Sequence, residues 1–247
     1  MEEVRATKID KDFAVNSNQI IIDKKVLDSK KGYFILKRII DIFASFLGLV
    51  LLSPLFLFVA YKIKKEEPKG PIFFSQNRVG KDGKIFRMYK FRSMCVDAEE
   101  KLNLLLDQNE IEGAMFKIKD DPRVTKIGKF IRKTSIDELP QLWNILKGDM
   151  SLVGPRPPLE REVAEYTNYD KQRLMVKPGA TGLWQVGERN DVSFDQMVNL
   201  DLKYIKKLST LNDFKIILKT VLIMFFPNNA VASRIMCKWK IHSVNYS

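Results

Sequence analysis

Two adjacent carboxylates, Asp137 and Glu138, lie in the stretch with the clearest chemical potential, which runs from Thr125 to Pro157. Neighbouring acids repel each other unless a metal ion or cations offset their charge, and such pairs are commonly arranged at functional sites. Cations beside carboxylates also suit phosphoryl transfer, in which negative charge spreads over phosphate oxygens. The flanking cations are Arg123, Lys126, Lys129, Arg132, Lys133 and Arg156. We predict the active centre here; the alternative is a capped helix with a charged face.

Two helices are predicted to position the acid pair. Over residues 126–133 the apolar side chains recur at helical spacing, with the cations on another face. Ser135 followed by Glu138 resembles a capping box, and Pro140 suits a first helical turn. The second helix is therefore predicted to begin beside the acid pair and to stop at Gly148. Its positive end would help to bind anions and would lower the pKa values of the carboxylates.

Composition narrows the chemistry that the chain can perform. The formal net charge is +12, from 42 lysines and arginines against 30 aspartates and glutamates, and such a balance suits anionic lipid, nucleotide or nucleic acid. Cys95 and Cys237 show no metal-ligand spacing and no disulfide framework, so the chain is predicted to be intracellular. The only histidine is His242, which disfavours Ser-His-Asp, Cys-His and zinc-dependent catalysis. Carboxylates remain as the candidate nucleophile or base.

An apolar segment without charged residues covers positions 42–60. At about 1.5 Å per residue a straight helix of that length would reach roughly 28 Å, enough for one membrane span. Two features favour a re-entrant helix that enters and leaves by the same face. Ser53 and Pro54 break the middle of the segment, and basic residues flank both ends, whereas a spanning helix has its excess on the cytoplasmic side. Asp41 is predicted to pair with Arg38 at the membrane interface.

Residues 71–94 predict a β-hairpin around a glycine-containing turn at positions 80–83. The second strand carries cations among aromatic residues, and with Arg78 these make a cationic sheet edge. Lys90 and Arg92 are the candidates for specific anion binding because aromatic neighbours would fix their positions. The alternative is a solvated face over an anionic membrane surface.

Two further arginines follow the acid pair. Arg156 lies between prolines, in a stiff backbone that would lower the entropy lost when its guanidinium holds a phosphate. The alternative is a rigid loop with no binding role. Residues 176–190 begin with turn signals and end in Arg189-Asn190.

The pattern predicts an α+β, mainly helical fold, with an N-terminal re-entrant membrane helix and a cytoplasmic catalytic domain that has a small β-hairpin and interfacial amphipathic helices. Amphipathic helices are predicted over residues 97–109 and 195–207. A short apolar helix over residues 214–226 would join the core or lie flat in the membrane interface. The predicted boundaries are 1–32 for a loosely ordered arm without a signal-peptide cleavage site, 33–66 for the membrane helix, 67–228 for the catalytic domain and 229–247 for a tail.

Four collinear segments resemble the bacterial sugar transferases, which are monotopic polyprenyl-phosphate sugar-1-phosphate transferases. The segments are KRIIDIFASFLGLVLLSPLF, QNRVGKDGKIFRMYKFRSM, KIGKFIRKTSIDELPQLWNILKGDMSLVGPRP and VKPGATGLWQV. The resemblance implies transfer of a sugar 1-phosphate from a UDP-sugar to undecaprenyl phosphate with release of UMP. This would be the initiating step of cell-surface polysaccharide (exopolysaccharide, capsule or O-antigen) or glycoconjugate synthesis, on the cytoplasmic face of the bacterial inner membrane. Anionic membrane lipid is a further expected partner, nucleic acid is not, and a homodimer is left open.

The resemblance also implies roles for individual residues. Asp137 would attack the sugar-bearing phosphate to give an acyl phosphate, and Glu138 would help to hold Mg²⁺, which offsets the charge of the diphosphate. The implied substrate-binding residues are Lys90, Arg132, Arg156 and Arg189. The family's re-entrant helix is broken at a Ser-Pro pair, which here is Ser53-Pro54.

The chain departs from the family pattern at two places. Only about thirty residues precede the membrane segment, so the chain resembles the minimal form of the family with an extra arm. Glu188 stands where the family usually has glycine, and its charge would oppose a nucleotide phosphate at Arg189. Two other classes remain as alternatives: a membrane-anchored binding protein, whose function Asp137→Asn would leave intact, and a nucleic-acid-binding protein, which would not explain the apolar segment.

Overall fold

The computed structural model describes residues 20–102, 118, 121–187 and 193–225. The helices are α1 (Lys24–Ser29), α2 (Lys31–Leu51), α3 (Ser53–Glu66), α4 (Ala98–Leu102), α5 (Lys126–Lys133), α6 (Gln141–Lys147), α7 (Glu160–Ala164), α8 (Asn168–Lys171), α9 (Phe194–Lys206) and α10 (Thr210–Phe225). Strands β1 (Phe73–Val79) and β2 (Ile85–Phe91) form one small sheet, and β3 (Ser151–Val153) and β4 (Gly179–Thr181) form another. The predicted mainly helical α+β fold is confirmed.

Helices α2 and α3 form a pair bent by 59°. Pro54, in the first turn of α3, has no N–H to continue the helical hydrogen bonding. The Ser53 hydroxyl donates to the carbonyl of Val50 at 2.7 Å, which satisfies an acceptor beside the break. In the described ranges no helix alone has the length and apolar character to cross a bilayer, although the bent pair together meets that criterion. The predicted break is confirmed, and a re-entrant path through a membrane stays a prediction.

Polar contacts fix α2 to the rest of the molecule, and the predicted Arg38–Asp41 pair is wrong. Arg38 donates to the carbonyls of Ile145 and Leu146 at 2.6 and 2.8 Å, at the C-terminal end of α6. Asp41 is buried and accepts hydrogen bonds from the Leu152 amide and the Ser151 hydroxyl. Because helix ends and buried carboxylates both need partners, each side chain is satisfied by groups within residues 145–152 rather than by the other.

The predicted hairpin is confirmed as the antiparallel pair β1–β2, in register from Phe73 opposite Phe91 to Val79 opposite Ile85. Its turn contains Asp82 and Gly83 at φ 56° and 77°, left-handed values that aspartate and glycine tolerate well. Phe91 is buried in a small core that joins the hairpin to α3 and α5.

The largest core cluster lies around β3, which pairs with β4 in parallel. Its centre includes Val153, Val198 and Leu202. Part of the N-terminal arm belongs to this core, because Ile22 and Leu27 are buried there and the Ile22 amide donates to Gln172 Oε1 at 2.7 Å. The expectation of a loosely ordered arm is therefore wrong for residues 20–29.

The later helices agree with the predicted pattern where the structure describes them. Helix α9 confirms the amphipathic helix, and α10 buries Asp213 and Ile216 against the core while Phe214 and Leu218 stay exposed. Of the helix predicted over residues 97–109, only α4 lies among the described residues. The predicted tail, residues 229–247, lies outside them. The four predicted domain boundaries stay predictions.

Helix α5 is held at its N-terminus by capping groups. The Thr125 side chain accepts from the Gly128 amide at 3.0 Å. The Glu66 carboxylate, at the end of α3, accepts from the Lys126 and Ile127 amides at 2.6 and 2.9 Å. These bonds satisfy amides that have no partner inside the helix, so α3 fixes the helix that leads into the acid pair.

Candidate active site

Asp137 and Glu138 lie in a short 3-10 turn, Ile136–Glu138, between α5 and α6. Ser135 precedes the turn at a left-handed φ of 57°, and its side chain makes no capping bond. The predicted capping box is therefore wrong, because the chain turns once before α6 begins at Gln141. The predicted stop is confirmed, since Gly148 ends α6 at φ 98°.

Asp137 is a buried carboxylate, with only 9% of its surface exposed. Burial, together with the charge of Glu138, raises its pKa to about 6, against the opposing effect of Lys90 and Arg132. The expectation that the helix end would lower the carboxylate pKa is wrong for Asp137, because loss of hydration outweighs the nearby positive charges. At neutral pH the group is largely ionised and poorly hydrated, a state that suits a nucleophile or a base.

Glu138 points toward the hairpin. Lys90, on β2, donates from Nζ to Glu138 Oε1 at 2.6 Å, and the Glu138 side chain is 44% exposed. An ion pair this exposed contributes little to stability. Its effect is on position, because it places an ammonium group beside both acids of the pair.

A cleft opens between the hairpin, the acid pair and the proline-flanked loop. Its lining includes Lys90, Glu138, Arg156, Arg78 and Gln185. The cleft has a volume of about 50 Å³, compared with the roughly 10–15 Å³ that one water needs. This volume can hold a phosphate-sized group. A sugar or a nucleobase would have to extend onto the open surface.

Arg156 lies in this cleft with its guanidinium 5.9 Å from the centre of the Trp184 ring. Cations over tryptophan faces are attracted by the ring quadrupole, so Trp184 helps to hold the guanidinium in place. Gly154 and Gly179 let the two loops of the cleft pass each other, since a Cβ on Gly154 would lie 2.6 Å from the Lys177 carbonyl oxygen.

Arg78 is a cleft residue that sequence reasoning placed only on a cationic sheet edge. It is 6% exposed, donates to the Pro157 carbonyl and to Gln76, and its buried Nε has no hydrogen-bond partner among the described residues. Burial and the charge of Arg156 lower its pKa to about 10. The hairpin register could have revealed it, because Arg78 pairs with Phe86 and so lies on the same sheet face as Lys90.

Among the other predicted residues that the structure describes, Asp137 adjoins the cleft through Glu138 without lining it, and Arg132 and Arg92 do not line it either. Arg132 donates from Nε to the Ser93 hydroxyl at 2.9 Å and acts on Asp137 through its charge. Arg92 is absent from the described cleft lining, and its guanidinium lies so close to Gly70 that a Cβ there would be 2.7 Å from Nη1. Arg189 lies outside the described residues.

The donor set of the acid pair fits Mg²⁺. No group of three histidine, cysteine or carboxylate side chains that could cage a metal ion occurs among the described residues. Mg²⁺ is commonly held by one or two carboxylates with water and substrate phosphates as the other ligands. Asp137 and Glu138 supply that number, at the edge of a cleft whose cations suit phosphate.

Comparison with known proteins identifies the family of this chain. The family model described as bacterial sugar transferase matches residues 32–227. The chain is 52% identical over 202 residues to galactosyl transferase CpsE of Streptococcus agalactiae and 46% identical over 206 residues to undecaprenyl-phosphate galactose phosphotransferase of Salmonella typhimurium. These alignments cover 81% and 82% of this chain but 44% and 43% of those relatives.

A shorter relative is matched over most of its length. Exopolysaccharide production protein ExoY of Rhizobium meliloti is 41% identical over 189 residues, which cover 75% of this chain and 83% of that protein. The chain thus spans less than half the length of the first two relatives and most of the third. With the family match across residues 32–227, which include the acid pair and the whole cleft, the chain belongs to the bacterial sugar transferase family.

Proposed function

We propose that this protein transfers a sugar 1-phosphate from a UDP-sugar to undecaprenyl phosphate, giving undecaprenyl-diphosphate-sugar and UMP. The observation that carries the proposal is the buried carboxylate of Asp137, adjacent to Glu138 at a cleft that contains Lys90 and Arg156. The names of relatives support it, since one is an undecaprenyl-phosphate galactose phosphotransferase and another is a UDP-galactose-lipid carrier transferase. The proposal specifies a hexose but no particular one, because a further relative carries N-acetylgalactosamine rather than galactose in its name.

The proposed reaction has two displacements at phosphorus. In the first, a carboxylate oxygen of Asp137 attacks the phosphorus that bears the sugar, and the bond to the UMP oxygen breaks. UMP leaves, and the sugar phosphate stays on Asp137 as an acyl phosphate. In the second, a phosphate oxygen of undecaprenyl phosphate attacks the same phosphorus and Asp137 leaves as a carboxylate.

The cleft cations would stabilise the charge that develops on the phosphate oxygens. Arg156 can hold two oxygens at once and Lys90 adds a point charge beside the acid pair. Arg78 lies deeper, where its buried guanidinium adds positive potential. Asp137 and Glu138 would hold Mg²⁺, which when bound offsets the negative charge of the diphosphate and the leaving UMP.

The proposed setting is the cytoplasmic face of a bacterial inner membrane, with anionic lipid as a partner. The exposed apolar side chains of α2 and α3, including Phe43, Phe46 and Leu57, support membrane contact. The name of the exopolysaccharide production relative supports a role in initiating surface polysaccharide synthesis. A homodimer remains a proposal of the sequence alone.

A single-turnover experiment tests the covalent step. With UDP-galactose and Mg²⁺ but no lipid acceptor, the enzyme should release about one UMP per active site and retain the sugar phosphate in a hydroxylamine-labile bond to Asp137. Asp137→Asn should abolish the burst and the overall turnover. Glu138→Gln should weaken the response to Mg²⁺ and recover in part at higher metal concentration.

Asp82→Asn is the matched control, because Asp82 is exposed at the hairpin turn and asparagine tolerates its left-handed backbone. This variant should keep a full burst. UMP release that requires undecaprenyl phosphate, with no labelled peptide, would replace the covalent step by direct transfer with Asp137 as a general base. Absence of UMP release from any UDP-sugar in a panel, with or without lipid, would favour a binding protein.

A further inference from the structure

A second cavity shares no lining residue with the cleft. Its volume is about 180 Å³, many times the roughly 10–15 Å³ that a single water needs. It is bounded by the first half of α2, the hairpin turn, β3 and the segment before β4. The charged residues of its lining are Lys37, Arg38, Asp41, Lys81 and Lys177.

Three of these charged side chains already have hydrogen-bond or ion-pair partners within the protein. Lys37 donates to Asp213 at 2.7 Å, Arg38 donates to the carbonyls at the end of α6, and Asp41 accepts from β3. Each of these contacts also holds part of the cavity wall in place, so the lining consists of side chains with defined positions rather than of mobile surface side chains.

Lys81 and Lys177 are different, because neither side chain has a hydrogen bond or an ion pair with another described residue. Lys177 is half-buried, and burial together with the charge of Arg38 lowers its pKa. A partly desolvated ammonium group beside a guanidinium is unfavourable unless an anion offsets the charge. The lining carries four cations and one carboxylate; Lys37 is paired with Asp213, and Asp41 and Asp149 offset only part of the positive charge around Lys177.

We propose that this cavity binds a phosphate-bearing anion, held by Lys81 and Lys177 and separate from the cleft at the acid pair. Phosphate fits because it presents several acceptor oxygens to two lysines at once. The apolar side chains of Phe34 and Leu208 in the lining would contact an organic group attached to the phosphate. The site does not depend on the proposed transferase activity.

Two sources could supply this phosphate. Next to the cavity, the outer face of α2 exposes Ile35, Leu36 and Ile39, so the headgroup of a membrane phospholipid would be close at hand if α2 lies at a bilayer. Free inorganic phosphate or pyrophosphate would offer the same oxygens from solution. The experiment below separates the two.

Amine footprinting on the full-length wild-type protein measures occupancy at the two lysines directly. The protein is acetylated briefly in three settings: phosphatidylglycerol nanodiscs, phosphatidylcholine nanodiscs, and phosphatidylcholine nanodiscs with inorganic phosphate or pyrophosphate. Mass spectrometry then compares Lys81 and Lys177 with two exposed lysines outside the cavity, Lys65 and Lys206. An anion in the cavity should slow acetylation of Lys81 and Lys177 several-fold relative to these references.

Protection in phosphatidylglycerol alone would identify a lipid headgroup, and protection by added phosphate would identify a soluble anion. Lys81→Gln should then weaken the protection of Lys177 and raise the ligand concentration needed for it. Lys65→Gln makes the same charge change outside the cavity and should leave that protection intact. Equal slowing at all four lysines, or no slowing at Lys177 in any setting, would overturn the proposal.

Discussion

At Asp137, burial favours the protonated carboxylic acid, whereas the proposed nucleophile is the ionised carboxylate. Its pKa is raised to about 6 because the carboxylate loses hydration, even though Lys90 and Arg132 lie near. In the unfolded chain the group should ionise near its ordinary value of about 3.9. Between these two values the folded protein binds a proton that the unfolded chain has lost, so stability falls as pH rises through this range and stays reduced above it.

Asp137→Asn should therefore stabilise the free protein at pH 8. The pKa difference corresponds to about 1–3 kcal/mol, or several degrees in melting temperature for a domain of this size, at about 2–4 °C per kcal/mol. The gain should shrink at pH 5, where the wild-type carboxylate is mostly protonated in the folded state. Thermal melts of both proteins at the two pH values measure it, and Asp82→Asn should show no such gain. A variant less stable than wild type at pH 8 would mean that Asp137 is not destabilising in the fold.

Arg156 offers a second test at the residue scale. Its planar guanidinium lies over Trp184 and can hold two phosphate oxygens, which the ammonium of lysine cannot reproduce. Arg156→Lys should lower kcat/KM by about 10–100-fold, a loss of roughly 1.4–2.7 kcal/mol of transition-state binding. The melting temperature and membrane association should stay unchanged. Near-wild-type turnover would instead support the alternative, in which Arg156 lies in a rigid loop and has no binding role.

The residue types in the sequence predicted several residues of the cleft. The features that they did not predict depend on the three-dimensional arrangement of the chain. Lys90, Glu138 and Arg156 were predicted from charge and local stiffness, and all three line the cleft. Arg78 was left on a sheet edge because charge alone does not tell which strand face is covered. The raised pKa of Asp137 was missed because helix ends are visible in a sequence, whereas the burial that outweighs them depends on tertiary packing.

At the scale of elements, the structural features that depend on residues adjacent in the sequence were predicted correctly. The hairpin, the break between α2 and α3, and the end of α6 at Gly148 follow from local backbone chemistry at glycine and proline. The expected Arg38–Asp41 pair failed because both side chains bind partners more than a hundred positions away in the chain. Long-range partners of this kind have no local signature.

The bend between α2 and α3 leads to a prediction about topology. If the pair is re-entrant, cysteines introduced at Ser29 and Lys65 should both resist a membrane-impermeant thiol reagent in intact cells, with Cys95 and Cys237 first replaced by serine. Both positions are exposed on the protein, so protection would come from the membrane. Pro54→Leu restores a backbone donor and should let a fraction of molecules span, exposing one of the two cysteines.

Pro68→Leu is the control for this substitution, because Pro68 lies after α3 and is exposed. It should leave both cysteines protected. Labelling of one cysteine in the protein with Pro54 intact would show that the bent pair crosses the membrane.

At the scale of the whole molecule, exposed apolar side chains occur on helices that contact one another. Helix α2 contacts α3, α6 and α10, and α3 contacts α5. The large exposed apolar residues on these helices include Phe43, Phe58, Phe130, Trp143, Leu211, Phe214 and Leu218. Contiguous exposed apolar surface is uncommon on soluble monomers. Together with the net charge of +12, this distribution supports the proposal that several helices, and not α2 and α3 alone, contact an anionic membrane.

This surface leads to a prediction about α10, whose buried side packs on the core while Leu218 faces outward. In a protein without its native cysteines, a fluorophore attached at Leu218→Cys should be strongly quenched by brominated acyl chains in phosphatidylglycerol vesicles. Phe43→Cys on α2 is the positive control and should be quenched at least as much. Ile85→Cys, equally apolar and exposed but on the hairpin, should be unaffected because it lies off these helices. Quenching at Phe43 with none at Leu218 would restrict membrane contact to the bent pair and leave the outer face of α10 for another partner.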